Sequence, residues 1–441
     1  MKVIVIGAGV GGTSAALALQ KLRHEVVVYD RMRENRPVGA ALSLWSNGVK
    51  VLNWLGLGPQ VAALGGQMHD MAYYDGHTGD EMCRFSLASV TAQTGQQPYP
   101  VARADLQALM MDAVGSTDIR LGMQLVGVSD DGETVTATFA DGSTDTADLL
   151  IGADGARSLV RDYVTEPTGI RPERRYSGYV NYNGLVPADP RIGPPHQWTT
   201  YVGDGKRCAV MPVAGDRFYF FVDVPGPSGE TPDRMQALED AFGSWGAPGV
   251  RALLDAIDPD ASLNRVEIWD IDPFDTWVRG RVAILGDAAH NTAPDIGQGA
   301  CSALEDSFAL GIVFATTTLG VEDSLKRYER IRTERAGDLV LRARKRAHET
   351  HAFDVETTQA WYDGLRREDV IGRRVDEHLD PQTYRDLVNP NLRRAMDGEP
   401  VFYERVAVYP ALGARHMEVA LLPVRDARGL VAGVVMRAHD I

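Results

Sequence analysis

Residues 2 to 20, "KVIVIGAGVGGTSAALALQ", decide the fold. A short β-branched run, "KVIVI", enters a turn carrying Gly7, Gly9, Gly11 and Gly12, and an Ala- and Leu-rich helical stretch follows. A second apolar run, "EVVVYD", ends on Asp30, with Arg31 next in the chain. Strand, glycine turn, helix, strand and acid within about thirty residues make the dinucleotide-binding fingerprint. Three of these glycines meet a physical need: Gly7 permits the tight turn, Gly9 lets a pyrophosphate approach the backbone, and Gly12 lets helix and strand pack closely. The free N–H groups at the helix start face negative charge, and Asp30 is placed to accept hydrogen bonds from ribose hydroxyls. A secretion signal shares the Lys and the apolar run, but a buried parallel strand enters a glycine turn in the same way.

Two later strands also end in acids. "ADLLIGADGARSLVR" (147–161) leads to Asp154 and Gly155, and "RVAILGD" (281–287) ends on Asp287. After Asp287 the chain runs through "AAHNTAPDIGQG" before a helix settles at "ACSALED". A packing helix needs no such entry, so these glycines predict a ligand lying against the backbone.

The bulk composition sets the frame. A chain of 441 residues exceeds one ordinary core, so two or more domains are expected. Forty-five Lys and Arg against 60 Asp and Glu give a net charge of -15, which argues against nucleic acid or an anionic membrane as a main partner. Three well-separated cysteines, Cys83, Cys208 and Cys301, fit neither a disulfide framework nor a zinc site, so no metal is expected and the cytoplasm is the predicted compartment.

Together "GAGVGG", "GADGARS" and "AILGDAAH" resemble the three signatures of the single-component (group A) flavoprotein aromatic hydroxylases, which share the p-hydroxybenzoate hydroxylase fold. The resemblance runs from residue 1 to about 375. It implies an α/β architecture: a Rossmann-like FAD-binding domain (about 1–73, 97–165 and 275–375) interleaved with an antiparallel-sheet substrate layer (about 74–96 and 166–274). Tightly bound, non-covalent FAD is implied as cofactor, held by Gly7, Gly9, Gly11, Gly12, Asp30, Arg31, Asp154 and Asp287. The turn Gly297, Gln298, Gly299, Ala300 and Cys301 would present N–H groups to the flavin. Arg103 matches the family's basic residue near the pyrophosphate, or is a solvated charge at a helix start; Ser43 and Leu125 fall where the family lines the cofactor channel. No second nucleotide fingerprint occurs, which suits NADH or NADPH as a transient co-substrate.

Within the family, "YVNYNGLV", "QWTTYVGDGKR", "DRFYFFVDVP" and "TAPDIGQG" resemble the FAD-dependent urate hydroxylases of bacterial purine catabolism. Urate is a planar anion, and its pocket wants a cation, amide groups and aromatic walls. Asn181, Arg207 and Tyr219 occupy the matching strand positions, and Asp295 precedes the flavin turn. Arg207 is read as the substrate's cation or as a strand-end surface charge; Tyr219 as pocket or core; Asn181 as pocket or turn. Asp295 either orients Arg207 or caps a helix. His290 is read as part of the cofactor turn rather than a base.

The resemblance implies that NAD(P)H reduces FAD, that O2 adds at flavin C4a, and that urate is hydroxylated at C5 to 5-hydroxyisourate. Hydroxylation of another aromatic or heteroaromatic acid, including natural-product tailoring, stays open beside it, as does a flavin redox sensor or interaction protein. From 376 to 441, "GEPVFYE", "LLPVRDARGLVAGVV" and "HDI" resemble the second half of a PAS domain, a small α+β extension with exposed strand edges. Such edges need cover, on the catalytic domain or in a homodimer.

Overall fold

The β-branched runs of the opening motif build a sheet buried on both faces. In a computed structural model, which describes residues 1–34, 39–115, 118–316, 318–351, 381–409, 413–425 and 429–440, strand Lys2–Ile6 pairs in parallel with Glu25–Asp30 on one side and Leu149–Gly152 on the other. Val282–Ile284 and Ile119–Leu121 extend this sheet, and Val278–Arg279 adds an antiparallel edge. Val3, Ile4, Val5, Val28, Leu149, Leu150 and Ile151 are fully buried, as expected where helices cover both faces of a parallel sheet. Burying each such side chain contributes about 1.5–3 kcal/mol. All the strand ends that lead to the glycine turns therefore open along one edge of one rigid sheet.

A second sheet of seven strands faces that edge, and it includes Gln197–Gly203, Lys206–Val213 and Arg217–Pro225, whose "QWTTYVG", "RCAVMPV" and "RFYFFVDV" carry the period-2 alternation of strands. It is mixed rather than wholly antiparallel, because Gln197–Gly203 runs parallel to Asp70–Asp75. In Arg217–Pro225, Phe218, Phe220 and Val222 pack on the helices Arg234–Phe242 and Pro248–Ala256. The alternation then turns Tyr219, Phe221 and Asp223 to the opposite face. A short antiparallel pair of strands, Ala41–Leu44 and Tyr99–Ala102, brings Ser43 and Arg103 beside that face.

The chain divides into two compact units, Met1–Phe353 and Asp354–Ile441. In the second, strands Val401–Tyr409, Gly413–Arg425 and Val431–Asp440 form an antiparallel sheet. Leu392 and Ala395 of the helix Asn389–Met396 cover Val401, Met417, Val419 and Leu421. Phe402, Leu422, Val424 and Val435 stay exposed. The stretch from Trp361 to residue 380, "WYDGLRREDVIGRRVDEHLD", which reads in sequence as short helices, lies outside the described residues. Among the described residues, no helix is long and apolar enough to cross a membrane, and no three His, Cys, Asp or Glu side chains converge as a metal set.

Candidate active site

Between the two sheets of the first unit lies a cavity of about 330 Å³. Its floor is the opening motif. Gly7 has φ of +107° and its N–H donates to the Tyr29 carbonyl at 2.7 Å. A Cβ on Gly7 would stand 2.2 Å from the Ala153 carbonyl oxygen, and one on Gly12 only 1.8 Å from the Gly7 oxygen, so both glycines are demanded by packing within the turn. A Cβ on Gly9 would meet nothing within 4 Å. Gly9 faces the cavity, and its missing side chain leaves room for something other than protein. Gly9 also caps the helix Val10–Gln20, with no side chain satisfying the first N–H groups. Across the cavity, Gly299 and Ala300 open the 18-residue helix Gly299–Thr316, so two positive helix ends meet there.

The half-buried Arg103 lines the same space, yet its enclosed Nε has no hydrogen-bond partner among the described residues. Burial pulls the guanidinium below its ordinary value, with Asp287 and Tyr219 opposing. An enclosed cation with a free Nε, two helix N-termini and a glycine-lined gap form a donor set for a diphosphate. FAD fits these residues on chemical grounds. Ser43, Gly11, Gly297 and the exposed Asp287 also line the cavity.

Other residues singled out from the sequence sit outside the lining. Asp30 accepts from the N–H groups of Ala8 and Met32, both at 2.7 Å, and Arg31 beside it is exposed. Asp154 gives its oxygens to the Ser158 hydroxyl and to the N–H groups of Leu159 and Val160, holding the start of the helix Leu159–Thr165; burial raises its pKa. Leu125 belongs to the parallel-sheet core. The Gln298 side chain accepts from Asn47. Cys301 is buried behind the turn, where its sulfur accepts from the Trp45 N–H, and burial pushes its thiol up to about 12. His290 is bonded to Asp306 at 2.7 Å, beneath the turn.

The wall opposite the glycines carries Asn181, Arg207 and Tyr219. Register explains their grouping: Asp223 is the cross-strand partner of both Asn181 and Arg207. Arg207 donates from Nε to Asp223 at 2.7 Å and from Nη2 to Asp295 at 3.1 Å. These contacts use Nε and Nη2 only. Burial would lower the guanidinium, but Asp223 and Asp295 hold it well above its ordinary value. Asn181 donates to Asp223 at 2.6 Å and accepts from Asn183 at 2.7 Å, which leaves one amide hydrogen uncommitted. Asp295 sits in the turn Pro294–Ile296 and also accepts from the buried Tyr179 hydroxyl. Burial would raise its pKa, but Arg207 beside it pulls it below the ordinary value. Its oxygens are spent on Arg207 and Tyr179.

Aromatic rings complete the wall. Trp198 and Phe221 line the cavity with their ring centroids 6.3 Å apart, and the Trp198 indole N–H has no partner among the described residues. Burial, followed by the nearby Asp223, raises the Tyr219 phenol. Reasoning from sequence missed Asp223, Tyr179, Trp198 and Phe221. The available signal for Asp223 was an acid in phase with Tyr219 and Phe221 inside "FYFFVDV".

Comparison with known proteins follows this geometry. The family model described as an FAD binding domain matches residues 1–343, and one described as a PAS fold matches residues 354–441. A protein of Mycolicibacterium vanbaalenii named FAD-dependent urate hydroxylase is 55% identical, over 87% of this chain and 99% of its own length. The crystal structure of Klebsiella pneumoniae HpxO complexed with FAD and uric acid superposes with a TM-score of 0.79 at 47% identity, covering 84% of this chain and 95% of that one. A salicylate hydroxylase substrate complex, 24% identical with a TM-score of 0.68 over 85% of this chain and 96% of its own, shares the fold. The glycine turns, the open helix ends and the two facing sheets are thus those of a flavoprotein, and the chain belongs to the family of FAD-dependent monooxygenases.

Proposed function

We propose that this chain hydroxylates urate at C5, consuming NAD(P)H and O2 and yielding 5-hydroxyisourate, water and NAD(P)+. The observation that carries this reading is the guanidinium of Arg207, buried in an aromatic-walled cavity opposite the cofactor turns. The likeness to the urate hydroxylase of M. vanbaalenii and to HpxO with its bound uric acid supports the choice of purine.

In this reading the segments 1–73, 97–165 and, of 275–375, the part within the first unit hold FAD, and 74–96 and 166–274 close over the substrate. Gly9, Gly11 and the N–H groups of Gly299 and Ala300 receive the cofactor's diphosphate and ring edge, with Arg103 as the cation. Bound FAD supplies the redox chemistry, taking reducing equivalents from NAD(P)H and activating dioxygen. The protein's own work is positioning and electrostatics. Arg207 offers Nη1 to the anionic edge of the purine while Asp223 and Asp295 fix the plane of the guanidinium. Asn181 adds a single donor to the ring edge. Trp198, Phe221 and Tyr219 exclude water and stack on a flat bicycle. The substrate arrives as an anion and Arg207 keeps it so, hence no strong side-chain base is required.

Purified yellow protein should oxidise NAD(P)H rapidly when urate is added and release 5-hydroxyisourate, with much slower turnover on salicylate and other phenolic acids. Faster coupled turnover of a phenolic acid than of urate would overturn the reading. Arg207→Ala should retain bound FAD and lose urate-dependent turnover; unchanged turnover removes Arg207 from the site.

A further inference from the structure

The cluster behind Arg207 holds more negative charge than Arg207 balances. The side chains of Asp223 and Asp295 are both 0% exposed, and one guanidinium bridges them. Two carboxylates against one cation would leave a buried net charge of minus one, which is costly in itself. It would also stand beside a cavity that, in the proposed function, takes an anion.

His351 is placed to answer that charge. It ends the long helix Val321–His351, and its side chain is 4% exposed. Nε2 stands 3.7 Å from Asp295 Oδ1 and 3.9 Å from Asp223 Oδ2. The ring lies on Tyr179 with centroids 4.1 Å apart and planes 31° from parallel. On its other side, Nδ1 is 3.0 Å from the Gly205 carbonyl oxygen. A carbonyl only accepts, so Nδ1 must carry a hydrogen. That settles the neutral tautomer: Nε2 would then be a bare lone pair directed at two carboxylates. Among the described residues no donor meets it, and Nε2 has no hydrogen-bond partner there. The Tyr179 hydroxyl donates to Asp295, Lys206 turns away to the Ala241 carbonyl, and Arg344 on the same helix is paired with Asp270. Only a second proton makes the approach of Nε2 to the carboxylates attractive.

We propose that His351 is a positioning residue, an imidazolium that brings the Arg207–Asp223–Asp295 cluster to neutrality and so leaves the charge of Arg207 available to an anionic substrate. The charge state rests on the geometry alone, whereas its consequence for substrate rests on the reading of the cavity as a urate site. A variant that removes this charge should weaken binding of the anion more than it slows the chemical step.

Two measurements on the full-length, FAD-loaded protein test this. Side-chain nitrogen NMR at about pH 8, where free imidazole is mostly neutral, should show one histidine with both nitrogens protonated. That signal should be missing from His351→Gln. A His351 resonance with unprotonated Nε2 overturns the charge assignment whether or not urate is the substrate. In steady-state kinetics, His351→Gln should raise KM for urate about tenfold, a change of about 1.4 kcal/mol, with a smaller effect on kcat and unchanged FAD content. The wild-type rise in KM at the alkaline pH where the imidazolium loses its proton should disappear, and His351→Lys should recover part of the affinity. Unchanged KM, or equal losses in kcat for Gln and Lys, overturns the positioning role. If the wild type does not turn over urate at all, the proposed function fails while the NMR result still decides the charge of His351.

Discussion

Gly9 and Gly12 stand three residues apart and carry opposite obligations. A methyl group at Gly12 collides with the Gly7 carbonyl, whereas one at Gly9 points into free space. Gly12→Ala should therefore lower the thermal midpoint sharply or abolish soluble expression, since backbone would have to move. Gly9→Ala should fold with a midpoint near that of wild-type apoprotein and lose FAD. Flavin absorbance after gel filtration, read beside a melting curve of the apo form, separates the two. Full FAD content in Gly9→Ala would show that the gap at Gly9 is not where the cofactor comes close to the chain.

Elements, rather than residues, set the acid response. Asp306, on the helix Gly299–Thr316, joins three elements: it accepts from Arg332 at 2.6 Å, from the Gly286 N–H at 2.9 Å, and pairs with His290. Burial alone would raise its pKa, but His290 and Arg332 hold it down to about 2 against an ordinary 3.8. A depressed carboxyl stabilises the fold fully above about pH 4, and the benefit is lost as pH falls through about 2. The difference is worth on the order of 2 kcal/mol. Asp306→Asn should reduce stability at pH 7 by at least that amount and flatten the acid limb of a denaturation curve. A variant whose midpoint falls with pH as steeply as wild type would sink this account. The same element scale shows what was legible. Strand, turn and helix around Gly7 are local in sequence, so their pattern survives in the chain. The cluster around Arg207 is not: Asp223 reaches Arg207 through antiparallel register, and His351 approaches Asp223 and Asp295 from the end of a distant helix. Asp30, Asp154 and Asp287 look alike in sequence, each an acid at a strand end. Only packing shows that Asp154 spends its oxygens on a helix start while Asp287 faces the cavity. Likewise period-2 alternation gives strands but no direction, so the parallel pairing of Gln197–Gly203 with Asp70–Asp75 was not readable.

At the scale of the whole molecule, the two units carry cores of very different size. The first contains several large clusters, including the buried parallel sheet. Among the described residues, the second has a core of Ala395, Val401, Met417, Val419 and Leu421, a size that gives low stability. Calorimetry of the full chain should show two transitions, with the smaller at lower temperature. Removal of residues 354–441 should delete that transition and leave FAD binding intact. A single transition lost as a whole on truncation would show that the units fold as one. Exposed Phe402, Leu422, Val424 and Val435 on the second unit's sheet also predict that the full chain aggregates more readily on heating than the truncated one.

The thiol of Cys301 lies behind the turn that leads into the helix Gly299–Thr316, and its high pKa leaves almost no thiolate to react. An alkylating reagent can reach it only when that turn swings open, so the labelling rate is a clock for breathing of the flavin pocket. Saturating the protein with FAD should slow the clock, and by how much reports the grip of the prosthetic group without any turnover being measured.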